Sequence, residues 1–445
     1  MGRPFLPGSP GHLLYNFLLA GSVVLALPFW IPWVVFSRKR RSNFLDRMGL
    51  RGNPPSNPGG GRRTVWMHAV SVGETNASVP LLRRLREKLP GARLLLSNVT
   101  LTGRGTAEKP LSGIADGRFY FPFDFPGVCG RFLDRVRPDV VVIVETEIWP
   151  NFLAACARRG VPVVIVNGRL SERSFRGYSR FRWFFAPVLR TLRAISAQTR
   201  DDADRFVALG ADPATVTVGG NLKFDVSPPE TGVTSLSGLL LGEKASGARW
   251  IVAGSTHEGE EAVVVRAFLA TRREFAEVRL LLAPRHPERF SEVESLLSQQ
   301  GVPTVRRTAI PEGKTRLDGS VLLLDTVGEL PCAYSGADLA FVGGSLVPKG
   351  GHNVLEPAWH GVPTIVGPHM DNFREIADVF LGAGALLRVS GEEELAEAFA
   401  RFAASPETFL EMGRRGRELL ESFRGASERN ADTVLSAMGG TGAQE

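Results

Sequence analysis

The chain has only three cysteines in 445 residues, Cys129, Cys156 and Cys332, and they stand far apart with no paired spacing. That excludes a disulfide framework and a cysteine zinc site, and points to reduced, buried thiols in a cytosolic protein. Acid is nearly missing from the start of the chain. Residues 1–63 hold nine Lys or Arg against the single acid Asp46, a local charge of +8 within a total of +7, so the rest of the chain is near −1. A near-neutral body argues against a nucleic-acid partner. Charge of either sign is absent from Pro4 to Ser37, and no repeat of solenoid length is present.

What fills the uncharged stretch is an apolar run from Leu13 to Phe36, which as a helix reaches roughly 36 Å, enough to cross a hydrocarbon core of about 30 Å. Pro28 and Pro32 would kink it or lay its second half in the interface, where Trp30 and Trp33 are at home. Arg38, Lys39, Arg40 and Arg41 follow at once, placing the downstream side in the cytoplasm. The run is long for a signal peptide and its charges follow rather than precede it. Residues 1–41 therefore read as a membrane anchor with a basic collar suited to an anionic inner-leaflet surface, removable without loss of the rest. Residues 42–63, ending in the Pro/Gly-rich RGNPPSNPGGGRR, read as a linker.

Beyond it, apolar runs alternate with amphipathic segments. TVWMHAV, ARLLLSNV, DVVVIVE, VPVVIVN and RAISAQ give one parallel sheet over 64–225, and WIVAGS, VRLLLAPRH, SVLLLDT, DLAFVGG and PTIVG give a second over 248–425. Residues 226–247 read as the interdomain linker and 426–445 as a polar tail. The expected fold is α/β, with two Rossmann-like domains whose strand ends face a cleft.

Each chemical candidate follows a predicted strand. From Phe341 to Phe373, glycine turns at Gly343–Gly344 and Gly350–Gly351 precede a short helix. Such turns let backbone N–H groups approach a phosphate, or simply permit tight turns, with Asn353 and Glu356 as a helix cap. Glu74 follows Ser71 in a capping-box spacing, and Glu145 and Glu147 end a Val/Ile strand. Asp202-Ala203-Asp204 matches an acid-x-acid metal pattern but lies in a polar stretch that reads as a solvated helix face, so no metal is expected. Arg169, Arg173 and Arg176, Lys223, and Arg285 with His286 place cations at strand ends or domain edges, suiting an anionic substrate.

Taken in order, HAVSVGE, ETEIWPN, NGRLSERS with GYSRF, GNLKFD, AGSTHEGEE, PRHPERF, GEL, FVGGS with GGHNVLEP, and GPHMDNF resemble the 3-deoxy-D-manno-octulosonic acid (Kdo) transferases of lipopolysaccharide synthesis, over residues 64 to 375. The resemblance implies a GT-B fold, an inverting glycosyltransferase without cofactor, CMP-Kdo as donor and a lipid A precursor (lipid IVA) as acceptor, at the cytoplasmic face of the inner membrane. It implies Glu74 as catalytic base, and Glu145 and Lys223 as residues that stabilise the transition state. Cytidylate contacts fall on Arg285 and His286, on Gly328, Glu329 and Leu330, and on Asn353, Val354, Leu355 and Glu356. The chain departs from the family at Gly168, where Ala is frequent, and at Asn98, in a segment usually richer in Thr; sugar contacts are implied near Thr100 to Gly103. The alternatives are a sugar-nucleotide epimerase or hydrolase on the same fold, and a membrane-tethered nucleotide-binding protein without catalysis.

Overall fold

The computed structural model describes the backbone of residues 5, 8–35, 38–51, 54–57, 61–99, 111–226, 235–311, 317 and 321–439, and the side chains of these except 29–42 and 235. The chain divides into two compact units, Met1–Val226 with Phe423–Glu445, and Ser227–Ser422.

In the first unit β1 (Thr64–His68), β2 (Arg93–Asn98), β3 (Gly117–Tyr120), β4 (Val140–Val144), β5 (Val163–Gly168), β6 (Ala194–Ala197) and β7 (Val216–Val218) form one sheet in the order 3-2-1-4-5-6-7. Every pairing is parallel. All five residues of β4 are buried, because helices cover both faces and each face needs apolar side chains. One core layer gathers on Trp66, whose ring lies 5.1 Å from both Phe119 and Phe152. The strand order reverses between β1 and β4, and in open α/β sheets ligands bind beyond the strand C-termini at such a reversal.

The stretch expected to be a polar tail returns to this unit as the helix Ala426–Gly439. Ala426, Ala431, Val434, Ala437 and Met438 bury in the same cluster as Val65 and Val140. Their spacing gives one apolar helix face inside a stretch whose average composition is polar. Asp225 fixes the helix start by accepting the Gly425 and Ser427 N–H groups, and Phe224 stacks on Phe423 at 4.8 Å.

The N-terminal segment also differs from the expected free tether. It forms α1 (Pro10–Val35) and α2 (Arg38–Arg47), so the expected linker 42–63 is helical at its beginning. Phe5 is buried, donates its N–H to the Pro187 carbonyl at 3.1 Å and meets Phe184 edge-on. Tyr15 donates its hydroxyl to Asp124 at 2.9 Å, and Asn16 and Asn151 exchange side-chain hydrogen bonds of 2.9 Å. Further along, Phe44 packs on Phe123 and Arg47 donates to the Phe121 carbonyl at 3.0 Å. Two polar residues in an apolar run are averaged away by a hydropathy reading, yet they dock the helix. The side chains of Arg38–Arg41 lie outside the described residues.

In the second unit β8 (Arg249–Thr256), β9 (Val278–Pro284), β10 (Thr304–Arg306), β11 (Val321–Leu323), β12 (Leu339–Val342), β13 (Thr364–Val366) and β14 (Leu387–Arg388) form another all-parallel sheet, in the order 10-11-9-8-12-13-14. Here the order reverses between β8 and β12. Part of the expected interdomain linker, Ser235–Ala245, is a helix that buries Leu236, Leu239 and Leu240 in a cluster with Trp250 and Tyr334.

Candidate functional site

Each unit carries its own group of candidate residues at the reversal point of its sheet. In the first unit β1 ends at His68, which is buried and stacked on Phe121 at 3.8 Å. Burial pushes its imidazole down to about 3, so it is neutral and packed in the interior. The turn that follows carries Glu74 near the start of the helix Val72–Lys88. Its carboxylate accepts the Val70 N–H and the Ser71 hydroxyl, both at 2.7 Å, while Ser71 Oγ accepts the Glu74 N–H at 3.2 Å. Ser71 therefore caps the helix as its spacing suggests, while the Glu74 carboxylate reaches one residue further back, to the Val70 N–H, and these bonds fix where it points.

Asn98 supports this turn. Its buried amide donates to the Ala69 carbonyl at 2.8 Å and to the Thr75 hydroxyl at 2.9 Å, so this departure from the family bears on the residue next to Glu74. The other departure, Gly168, is tightly enclosed: a Cβ there would lie 3.2 Å from Ile165 and Phe206 side-chain atoms. Thr100 to Gly103 lie outside the described residues.

Across the reversal β4 delivers Glu145, whose φ of 64° is a left-handed conformation that side chains rarely adopt. Two residues on, Glu147 has its carboxyl pushed up to about 7, first by burial and then by the neighbouring Glu74 and Glu145 carboxylates. In the sequence Glu147 is marked only by its place beside Glu145 at a strand end. Lys223 sits on the turn Leu222–Asp225, whose geometry is set by Asn221 accepting the Lys223 N–H at 3.0 Å and Asn167 accepting the Leu222 N–H at 2.9 Å. Leu222 packs in one cluster with Leu81 and Leu82 of the helix that starts near Glu74.

The acid-x-acid pattern is divided. Asp202 is buried, not solvated, and accepts the Leu170 N–H at 2.8 Å and the Thr199 hydroxyl at 2.6 Å, whereas Asp204 is exposed and pairs with Arg200. Asp202 thus braces the loop after β5. Of the cations beyond that loop, Arg173 and Arg176 lie on the helix Glu172–Ser179, where Arg176 pairs with Glu172. Among the described residues no three His, Cys, Asp or Glu side chains are grouped to hold a metal ion.

In the second unit the decisive residue is a glutamate that no local motif marks out. Glu260, fully buried, accepts four backbone N–H groups: His257 at 2.9 Å, Gly344 at 2.6 Å, and Ser345 and Leu346 at 2.9 Å each. The Gly343 N–H goes to the Gly254 carbonyl at 2.8 Å. The first glycine turn therefore directs its N–H groups to the protein, not to a phosphate. Its glycines are needed for close approach, since a Cβ on Gly343 would lie 2.5 Å from the Ser255 carbonyl oxygen. The helix cap is Gly259 and Glu260 is the first helical residue, so no capping-box spacing marks it in the sequence.

The second glycine turn is braced by the GPHMDNF segment, through Asn372 N–H to the Gly350 carbonyl at 2.8 Å, and a Cβ on Gly351 would strike Met370 Sδ at 2.3 Å. It leads to Asn353, one residue before the Val354 N-cap of the helix Leu355–Trp359, whose side chain accepts the Leu355 N–H at 3.2 Å and donates to Glu356 at 3.3 Å. Val354 and Leu355 are buried beneath. Burial raises the Glu356 carboxyl, opposed by that hydrogen bond and by the nearby Arg285 guanidinium.

Arg285 and His286 stand exposed after β9, with Arg285 held by its N–H to the Thr256 carbonyl at 2.9 Å. His257 lies between His286, at 5.2 Å between ring centroids, and His352, with a 2.8 Å contact between Nε2 atoms. Burial lowers His257 and takes His352 down to about 4, so this pair is neutral and one ring donates to the other. Of the remaining candidates, Gly328 is in the left-handed region with open space around it, and Leu330 begins the helix Leu330–Tyr334. The Glu329 carboxylate is held by Thr326 at 2.5 Å and Arg307 at 3.2 Å. The structure thus gathers Arg285, His286 and Asn353–Glu356 around the strand ends of the second unit.

Residues 42–226 match the family described as 3-Deoxy-D-manno-octulosonic-acid transferase (kdotransferase). Over 418 residues the chain is 38% identical to 3-deoxy-D-manno-octulosonic acid transferase of Bordetella pertussis, spanning 92% of this chain and 93% of that one. Over 428 residues it is 32% identical to the transferase of the same name from Haemophilus influenzae, spanning 95% and 98%. Among solved structures it is similar to UDP-GlcNAc 2-epimerase from Neisseria meningitidis bound to UDP-GlcNAc, with a TM-score of 0.56 at 16% identity over 84% of this chain and 100% of that one. That is a likeness of fold alone, and it identifies the two parallel seven-stranded sheets as GT-B.

Proposed function

The chain belongs to the 3-deoxy-D-manno-octulosonic acid (Kdo) transferase family, and on that premise we propose that it moves Kdo from CMP-Kdo to a lipid A precursor, lipid IVA, with inversion and with Glu74 as general base. The observation that carries the reading is the carboxylate of Glu74, aimed by the Val70 N–H and the Ser71 hydroxyl at the reversal point of its sheet. An acceptor hydroxyl oxygen forms a bond to the ketosidic carbon, its proton passes to Glu74, and the bond to cytidylate breaks with its electron pair leaving on the phosphate. A phosphate leaves readily as an anion, so no protonating acid is required.

Glu145 and Lys223 stabilise the transition state, the lysine offering a cation to the sugar carboxylate. Cytidylate is held by Arg285, His286, the Gly328–Leu330 turn and the Asn353–Glu356 segment. Since the glycine turn at Gly344 is satisfied by Glu260, the phosphate charge falls to Arg285 instead. The apolar N-terminal helix supports a protein held at the cytoplasmic face of an inner membrane, where its lipid acceptor resides.

The test is Glu74→Gln, which keeps the shape but cannot accept the proton. Single-turnover rate should fall by 10²- to 10⁴-fold with CMP affinity unchanged. Retention of more than about a tenth of the rate would remove Glu74 from the role of base.

A further inference from the structure

We propose that residues 5–47 form a membrane device that enters and leaves on one side. In it α1 is laid into a single leaflet of an anionic bilayer without crossing it, and Phe181 with Trp183 makes a second insertion point beside it. The inference rests on the reading above only in taking the acceptor to be a membrane lipid.

Near its start the segment is held by Tyr15 on Asp124 and by Asn16 on Asn151. Near its end, Arg47 donates to the Phe121 carbonyl at 3.0 Å, accepts the Phe123 N–H at 3.2 Å and lies 4.2 Å over the Phe123 ring. Phe123 and Asp124 are consecutive residues of one loop. A helix that crosses a bilayer places its ends on opposite surfaces about 30 Å apart, so a segment whose two ends bind one loop has both on the same side.

Between those ends α1 exposes apolar side chains, with Phe17 76% and Leu25 78% accessible. The neighbouring surface says what covers them. Phe184 touches Phe5, Tyr15 and Trp183, joining the foot of α1 to a hairpin of the helices Glu172–Ser179 and Arg182–Leu189. On that hairpin Phe181 and Trp183 are 55% and 59% exposed. Arg173, Arg176 and Arg180 line a surface concavity of about 460 Å³, where Glu172, the partner of Arg176, is the one acid. Exposed aromatics interleaved with arginine, continuous with an apolar helix, fit the headgroup level of an anionic leaflet.

Full-length Pro10→Cys and Arg51→Cys variants test the topology, because both positions are exposed and the native cysteines are buried and silent. Each is treated with a membrane-impermeant maleimide in sealed membrane vesicles of both orientations. Both cysteines should label in the same orientation and be protected in the other. Labelling in opposite orientations, or protection of Pro10→Cys in both until detergent is added, would overturn the inference. Neither readout involves turnover, so such a failure leaves the proposed chemistry standing. On phosphatidylglycerol vesicles, the Phe181→Ser/Trp183→Ser double variant should bind several-fold more weakly. Unchanged binding, with loss of a dimer in sedimentation, would assign that face to a second copy and overturn the lipid contact.

Discussion

Glu260 and Gly344, 84 positions apart, are joined by a 2.6 Å hydrogen bond from the glycine N–H to a fully buried carboxylate that also accepts three other backbone N–H groups. A protein carboxylate thus fills the place where a glycine turn would otherwise receive a phosphate. Glu260→Gln would keep one acceptor oxygen but turn an amide donor toward N–H groups. We expect a loss of about 2–4 kcal/mol in the second unit, with CMP affinity falling as the turn loosens. Denaturant unfolding with calorimetric titration checks both, and an unchanged midpoint would contradict the anchoring role.

The N-terminal segment belongs to the packing of its unit, so Tyr15→Phe should cost about 1–2 kcal/mol by leaving buried Asp124 short of a donor. Deleting residues 1–47 should cost more, since it also uncovers Phe184 and the Asn151 side chain. Thermal melts in detergent would show this, and equal melting temperatures for full-length and truncated protein would return the segment to a plain tether.

Arg285→Ala and Glu356→Gln should each weaken CMP binding by roughly 1–3 kcal/mol, through lost charge-assisted hydrogen bonds at the nucleotide. Calorimetric titration with CMP decides it. Unchanged affinity in both variants would leave Asn353 and Glu356 as a helix cap and nothing more.

Glu147 gives a pH dependence whose sign is fixed by its shift. Its carboxyl is raised from the usual 4.5 to about 7, so between those values the unfolded chain has released a proton that the folded chain still holds. Stability is therefore present below about pH 4.5 and lost as pH rises toward 7, by roughly 1–2 kcal/mol for a partly exposed group. Glu147→Gln should flatten this slope in denaturant midpoints measured from pH 4.5 to 7.5. An identical slope in the variant would show that Glu147 is not the group titrating.

Much of this architecture was legible in the sequence, because central strands buried on both faces leave continuous apolar runs such as VVVIV of β4. The strands that escaped notice, β3, β7, β10 and β14, lie at or beside sheet edges, are two to four residues long and, except for β3, are nowhere fully buried. Short, half-exposed strands carry no run to see. The candidate residues could be listed because each follows a strand, but three of the four N–H groups that Glu260 accepts and both acceptors of Asn98 lie far away in sequence, and no local pattern shows such a bond. Asp202 misled for the converse reason: its acid-x-acid spacing is local, whereas its hydrogen bond to Leu170 is not.

The most direct test of the central claim is mass spectrometry of a reaction containing the full-length protein, CMP-Kdo and a detergent-dispersed, underacylated lipid A precursor. The acceptor should gain the mass of one or more Kdo residues as CMP is released, and Glu74→Gln should remove most of that gain. Release of CMP with free Kdo and an acceptor of unchanged mass would contradict that claim, and would make the protein a hydrolase on the same fold.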